Sequence, residues 1–310
     1  MKLTVVGITV VDVVFPEVSR LPVWPRHTEF TTDNLVLLRK APIVTLGGNG
    51  ANAAFVAARC GAQVTLHTRI GGDEMGDLAH GWLQAAGCNV ESPRAGRQTE
   101  AGALNVTAAN SRHERATFFF PGAPVRMPRL KTGRNEKQAM LVCGWPHPAF
   151  SEIARVFRQV RRWNGLTALD TGPILGRPWT LAGMEPVLKE LSLLLTNDHE
   201  LRAIARSKTL RQAVRSVRSR FSGDLVIKRG AEGAVWLPAN SSEEHMIPAR
   251  RVRAVNTVGA GDGFNGALLA ALCRGVAFPE ALKEASAIAA GIVASRRGVL
   301  RAGSLKAQIV

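Results

Sequence analysis

Short unbroken runs of apolar residues alternate along this chain with longer stretches in which apolar positions recur every three to four residues. The runs over 3–8, 63–68, 140–143, 166–170, 191–196 and 225–228 predict strands buried on both faces. The alanine-rich stretch 51–60, the amphipathic stretch 75–86 closed by Gly87, and the alanine-rich stretches 262–274 and 279–296 predict helices. Strands separated by helices in this way predict an α/β domain, a mainly parallel sheet covered by helices on both faces. Two segments, 29–39 and 100–120, break the rhythm. They read as half-exposed antiparallel strands, the second turning near Asn110 and Ser111. One domain over 1–310 is expected, with a small β lid formed by insertions at about 13–45 and 98–122.

Composition narrows the function. Hydrophobic residues make up 46% and charged residues 21% of the 310, which excludes a disordered or fibrous chain. Aromatics are 5% and tyrosine is absent, which argues against a base-stacking single-strand binder. The apolar run 3–15 is interrupted by Asp12 and lacks a basic leader region with a cleavage site, so no membrane segment is expected and a cytoplasmic location is. Cys60, Cys88, Cys143 and Cys273 show no metal-ligand spacing and read as buried thiols. The formal net charge of +16 favours anionic partners such as nucleotides or phosphorylated metabolites. Its densest stretch, 202–220, has mixed helical spacing typical of a solvated face, and no nucleic-acid-binding pattern accompanies it.

Two glycine-rich motifs carry the candidate chemistry. The first, Gly47-Gly48-Asn49-Gly50-Ala51-Asn52-Ala53-Ala54, enters a helix, where free backbone amides favour hydroxyl oxygens or anions. Gly48, Gly50 and Ala53 also satisfy G-x-G-x-x-A, with Asp73 twenty residues on, which leaves a dinucleotide-binding dehydrogenase as a rival. Against that, Asp73 sits in a glycine turn and the motif follows a lid strand. The second, Asn256-Thr257-Val258-Gly259-Ala260-Gly261-Asp262-Gly263-Phe264, is expected to follow a strand ending near Val255 and to open a helix. Small residues there offer N–H donors at the positive end of the helix dipole, a place for a transferring phosphoryl group. Asp262 sits where a carboxylate could take the proton of an attacking hydroxyl, although an aspartate in a first turn also stabilises its own helix.

Taken together, the two motifs resemble both signatures of the ribokinase-like (PfkB) carbohydrate kinases, and the likeness covers nearly the whole chain. It implies a ribokinase-like three-layer fold and an ATP- and Mg²⁺-dependent phosphotransferase acting on a sugar or sugar derivative. By that resemblance Asp262 is the base, and the amides of Gly259, Ala260 and Gly261 form an anion hole. Asp12, Gly47, Gly48 and Asn52 fall on the sugar side. Asn197 and Glu200 match an N-x-x-E motif that helps hold magnesium and phosphate. Lys228, Gly230 and Gly233 fall on a nucleotide-phosphate loop, and the helix containing Ser286 lies beside the adenine. A homodimer through the lid is a further expectation. The nearest alternative is a nucleoside kinase of the same family; a binding protein without catalysis would need no Asp262.

Two departures from the family pattern stand out. Many relatives have aspartate where this chain has Asn256, a position that contributes to a monovalent-cation site. Ribokinase itself is expected to place a sugar-binding glutamate at Cys143-Gly144-Trp145, and none is present, which counts against ribose. The stretches 6–12 and 263–268 look more like ketose kinases, including the ketohexokinase and sulfofructose kinase branches.

Overall fold

In the computed structural model the described residues are 1–18, 36, 38, 40–92, 101–110, 115–130, 137–144, 149–172, 179–241 and 243–304. Seven strands build the parallel part of a nine-stranded sheet: β1 (Lys2–Val6), β4 (Val64–His67), β5 (Asn89–Glu91), β8 (Gln138–Cys143), β9 (Leu166–Asp170), β10 (Leu193–Asn197) and β11 (Asp224–Lys228). They run in the order β5-β4-β1-β8-β9-β10-β11, and β12 (Ala234–Leu237) and β13 (His245–Ile247) extend the β11 edge antiparallel. Successive residues alternate between two cores. Leu3, Val5, Leu141, Leu193 and Val226 face one, while Val6, Met140, Leu169, Leu194 and Ile227 face the other. Burial on both faces is why these strands, except the exposed edge strand β5, read as continuous apolar runs.

The first core is covered by α1 (Asn49–Arg59), α2 (Glu74–Ala85), α7 (Ala260–Cys273) and α8 (Phe278–Val293). The second is covered by α3 (Phe150–Arg162), α4 (Leu181–Leu188), α5 (Asp198–Ile204) and α6 (Leu210–Arg218). The chain winds from β1 toward β5 and then from β8 toward β11, so the order reverses between β1 and β8. The carboxyl ends of strands beside such a reversal form a crevice. None of the described helices is long and apolar enough to cross a membrane, and all four cysteines are buried.

A second sheet has the order β3-β2-β6-β7, built from β2 (Val10–Val18), β3 (Ile43–Gly47), β6 (Ala103–Asn110) and β7 (Arg115–Phe120). Two sequence expectations change here. The apolar run 3–15 is two strands in two sheets, so Asp12 lies on β2 and not on the first strand. The break falls at Gly7, where a Cβ would lie 2.7 Å from the Gly50 Cα; only glycine lets β1 meet the start of α1 so closely. The strand expected to end near Val255 is absent. Residues 248–256 carry exposed Arg250, Arg251 and Arg253, and the amides of Val255 and Asn256 donate to the Val293 carbonyl at the end of α8. The β6–β7 pairing confirms an antiparallel pair over 100–120, while Ser111 and nearly all of 29–39 lie outside the described residues. Arg26, Arg39 and Arg112 do too; Arg115 opens β7 and is exposed.

Candidate active site

Gly259 opens α7 with φ 74°, a left-handed conformation that glycine adopts without strain. The Gly263 amide donates to the Gly259 carbonyl at 2.8 Å, while the amides of Gly261 and Asp262 have no backbone partner among the described residues. The first turn therefore presents N–H groups at the positive end of a 14-residue helix. Close packing sets what faces it. A Cβ on Gly266 would lie 2.2 Å from the Ala53 carbonyl oxygen, so α7 rests directly on the α1 backbone. That contact aligns Asn52, buried on α1, with Asp262, and the Asn52 Nδ2 donates to Asp262 Oδ2 at 3.1 Å. At the start of α1, Gly48 has φ 86°, and a Cβ there would lie 2.4 Å from the Ile8 carbonyl oxygen. Asn49 Oδ1 accepts from the amides of Ile8 and Gly50 and ties β1 to the helix.

The second sheet brings a row of side chains to the same place. Register pairs Thr45, Asp12, Asn105 and Phe119 across β3, β2, β6 and β7, so all four share one face. Asp12 is 5% exposed and accepts from Asn105 Nδ2 at 3.0 Å. Burial pushes the Asp12 carboxyl above its ordinary range, and the Asn105 bond opposes the shift. A Cβ on Gly47 would lie 2.3 Å from Asp12 Oδ2, so the carboxylate occupies the space over that glycine. On the far side Thr45 Oγ1 donates to the Arg297 carbonyl, beside the turn that precedes α7.

Three strand ends supply a buried charge cluster. Lys228, ending β11, donates to Asp170 Oδ1 at 2.8 Å and to Asn265 Oδ1 of α7 at 3.1 Å. Glu200 closes a reciprocal capping box with Asn197 at the start of α5 and accepts from Thr171 Oγ1 at 2.6 Å. Burial, and then Asp170, push the Asp262 carboxyl up to about 6, while Asn52 and Lys228 pull it back and Asp12 adds a smaller push. Burial and Asp170 raise Glu200 to about 7. Lys228 stays above the usual lysine range because Asp170, Glu200 and Asp262 together outweigh its burial. Cys143, at the end of β8, is a buried thiol pushed well up by burial and by Asp170 and Asp262.

Asp262, the Gly259–Gly261 turn, Asn52, Asp12, Gly47 and Gly48 thus converge, as the family resemblance implies. The Lys228 amine turns toward Asp170, whereas Gly230 (φ 57°) and Gly233 (φ 94°) shape the turn that joins β11 to β12. Ser286 Oγ donates to the Pro248 carbonyl. Asp73 caps α2 and accepts from the amides of Gly76 and Gly102, which removes the dinucleotide-ribose role weighed for it. Asp170, Asn265 and Asn105 were not singled out from sequence. A carboxylate closing the buried strand 166–170 was the signal for the first; the other two carry no motif. Among the described residues no group of three His, Cys, Asp or Glu side chains is placed to hold a metal by itself.

Comparison with known proteins agrees with this fold. The family model described as "pfkB family carbohydrate kinase" matches residues 1–301. The ribokinase of Bacillus subtilis is 25% identical over 255 residues, 80% of this chain and 81% of that protein. The nucleoside kinase of Methanothermobacter thermautotrophicus is 25% identical over 251 residues, 80% and 78% of the two chains. Among solved structures, Arabidopsis thaliana ribokinase complexed with ribose and ATP superposes with a TM-score of 0.76 at 21% identity, covering 98% of this chain and 97% of that one.

Proposed function

This chain belongs to the pfkB family of carbohydrate kinases, a sugar or nucleoside kinase, and from that premise we propose that it transfers the γ-phosphoryl group of ATP to a hydroxyl of a sugar or sugar derivative, with Asp262 as the base. The observation that carries this reading is the placement of Asp262. Its carboxylate is bonded to Asn52, lies one residue from the open Gly261 amide, and is raised to about 6, near the range where a base works at neutral pH. The acceptor binds between Asp12, Asn52 and the site-facing row of the second sheet, which acts as the lid over it and excludes water. Its attacking hydroxyl gives its proton to Asp262 as the new O–P bond forms. The unspent amides of Gly261 and Asp262 hold the phosphoryl oxygens.

The donor set suits magnesium carried in with the nucleotide. Glu200 and Asp170 each keep one carboxylate oxygen without a hydrogen-bond partner among the described residues, and Mg²⁺ is ordinarily held by one or two carboxylates plus phosphates and water. When bound, the ion would neutralise charge on the phosphate oxygens. Asn256 Oδ1 accepts from the Val258 amide at 3.0 Å and carries no charge, so this position offers a monovalent cation less than an aspartate would. The acceptor stays at the level of sugar or nucleoside, and the ketose reading rests on two short stretches alone. Phe119, 39% exposed, shares the Asp12–Asn105 row. A coupled ADP-release assay over aldoses, ketoses, sugar acids, sugar phosphates and nucleosides tests the reading. Acceptor-dependent ADP release is expected; none with any acceptor overturns it.

A further inference from the structure

Asp73, whose spacing raised a dinucleotide role, serves another part of the molecule. Its carboxylate is spent in two directions. Oδ1 accepts from the Gly76 amide at 2.9 Å and caps α2, while Oδ2 accepts from the Gly102 amide at 2.8 Å. A cap alone needs one oxygen, and serine or asparagine supplies it equally well. The second bond takes a side chain with two acceptors. It reaches a buried amide one residue before β6, in the second sheet. The approach is close: a Cβ on Gly71 would lie 2.1 Å from the Gly102 nitrogen. A matching contact holds the neighbouring strand. Thr68 Oγ1 and Thr9 Oγ1 pair at 2.8 Å, both buried, one residue before β2. The stretch 68–73 therefore grips the two parallel strands of the second sheet just ahead of their first residues, Val10 and Ala103, which pair with each other. Asp12 lies three residues past Thr9 and Asn105 three past Gly102, so both anchors stand equally far from the Asn105–Asp12 bond. A slip of one residue between the strands would turn Asn105 to the opposite face and take this donor from the buried Asp12.

We propose that Asp73 is a positioning residue of the acceptor site: its carboxylate pins the start of β6 to α2, so that Asn105 meets Asp12 in register. Thr9 and Thr68 pin β2 in the same way. Asp73 touches no reacting atom, and its effect runs through Asn105 to Asp12. The inference deepens the kinase reading above and rests on it for the acceptor, while the pin itself rests on the hydrogen bonds.

The test sets the unmodified chain beside Asp73→Ser, Asp73→Ala, Asn105→Ala and the double variant Asp73→Ser/Asn105→Ala. Serine keeps the helix cap but has a single oxygen, and alanine keeps neither contact, so the two variants separate pin from cap. Amide hydrogen exchange needs no ligand. In Asp73→Ser the β6 amides are expected to exchange at least about threefold faster, while those of α2 stay unchanged. Initial rates are read with D-ribose, D-fructose and adenosine as acceptors. The acceptor KM is expected to rise about fivefold in Asp73→Ser, the scale of one net hydrogen bond, with the ATP KM unchanged. The double variant should go no further than Asn105→Ala alone, because both substitutions undo one contact. Unchanged exchange in β6, or function that serine restores and only alanine loses, overturns the pin and leaves a helix cap, with the kinase reading standing. Additive rises in KM overturn the route through Asn105. If the unmodified chain releases ADP with no acceptor at all, the kinase reading falls and the acceptor role with it, and the exchange measurement alone decides the pin.

Discussion

Asp262 is asked to be a base in a place that disfavours its charge. Only the carboxylate can take a proton, so turnover should climb with pH through about 6 and level off above it. Asp262→Asn should remove that limb and lower kcat by about 10²-fold or more, measured by pH-dependent initial rates. The same shift bears on stability. The folded-state pKa lies above the ordinary 3.8, so the contribution to stability is full at more acidic pH and fades as pH rises through about 6. Asp262→Asn should therefore be more stable than the unmodified chain near neutral pH by about 1–2 kcal/mol, discounted for partial exposure, and thermal melts at pH 5 and 7.5 would show the gap widening at the higher value. Asn105 should matter differently. It fixes the Asp12 carboxylate from the next strand, so Asn105→Ala should raise the acceptor KM about tenfold, the scale of one hydrogen bond to a charge, and leave the ATP KM unchanged. Equal changes in both would point to a general loosening. Asp262 and Asn52 were legible because a long, specific signature surrounds each, and Asp12 only through the family resemblance. Asn105 and Asn265 were not, because a lone amide has meaning only once pairing shows what lies opposite.

The elements were legible wherever burial was simple. Parallel strands covered on both faces leave an unbroken apolar run, and 166–170 matches β9 to the residue. The run 3–15 misled because two strands of different sheets are both apolar, with only Gly7 marking the passage between them. β12 was not read although 234–237 is an unbroken apolar run, whereas the three-residue edge strand β13, with a solvent-facing Met246, left none. One contact between elements governs the site: Gly266 of α7 on the Ala53 backbone of α1. Gly266→Ala would force the helices apart, with an expected loss of about 1–3 kcal/mol in denaturant titration. It should lower kcat as well, because Asn52 and Asp262 sit across the same seam. Gly81, inside α2 with nothing within 4 Å of an added Cβ, is the control: Gly81→Ala should be neutral or up to about 1 kcal/mol stabilising. Matching losses in the two variants would mean that helix propensity, and not the seam, was being measured.

At the scale of the molecule, the second sheet turns its other face outward. Val44, Val13, Val106 and Phe118 form an apolar row across it, with Val44 43% and Phe118 62% exposed. An apolar row of this kind supports the proposed dimer through the lid. Phe118→Glu should shift the mass in light scattering from dimer to monomer at micromolar concentration, and a monomeric unmodified chain would sink the proposal. The three consecutive phenylalanines that end β7 leave one of them on this outer face, but the sequence does not say whether solvent or a partner covers it. The division of labour between the sheets reaches further. Asp12, Asn105 and Phe119 belong to the second sheet; Asp170 and Lys228 belong to the first, and Asp262 to a helix packed on it. The two sheets are joined near the site by the three residues between β1 and β2. On the proposed reading, acceptor choice is written largely on the second sheet and phosphoryl chemistry on the first, with Asn52 at the seam, so descent can exchange much of one while inheriting the other. A chimera that borrows β2, β3, β6 and β7 from a relative should acquire that relative's taste in acceptors and keep its own handling of ATP.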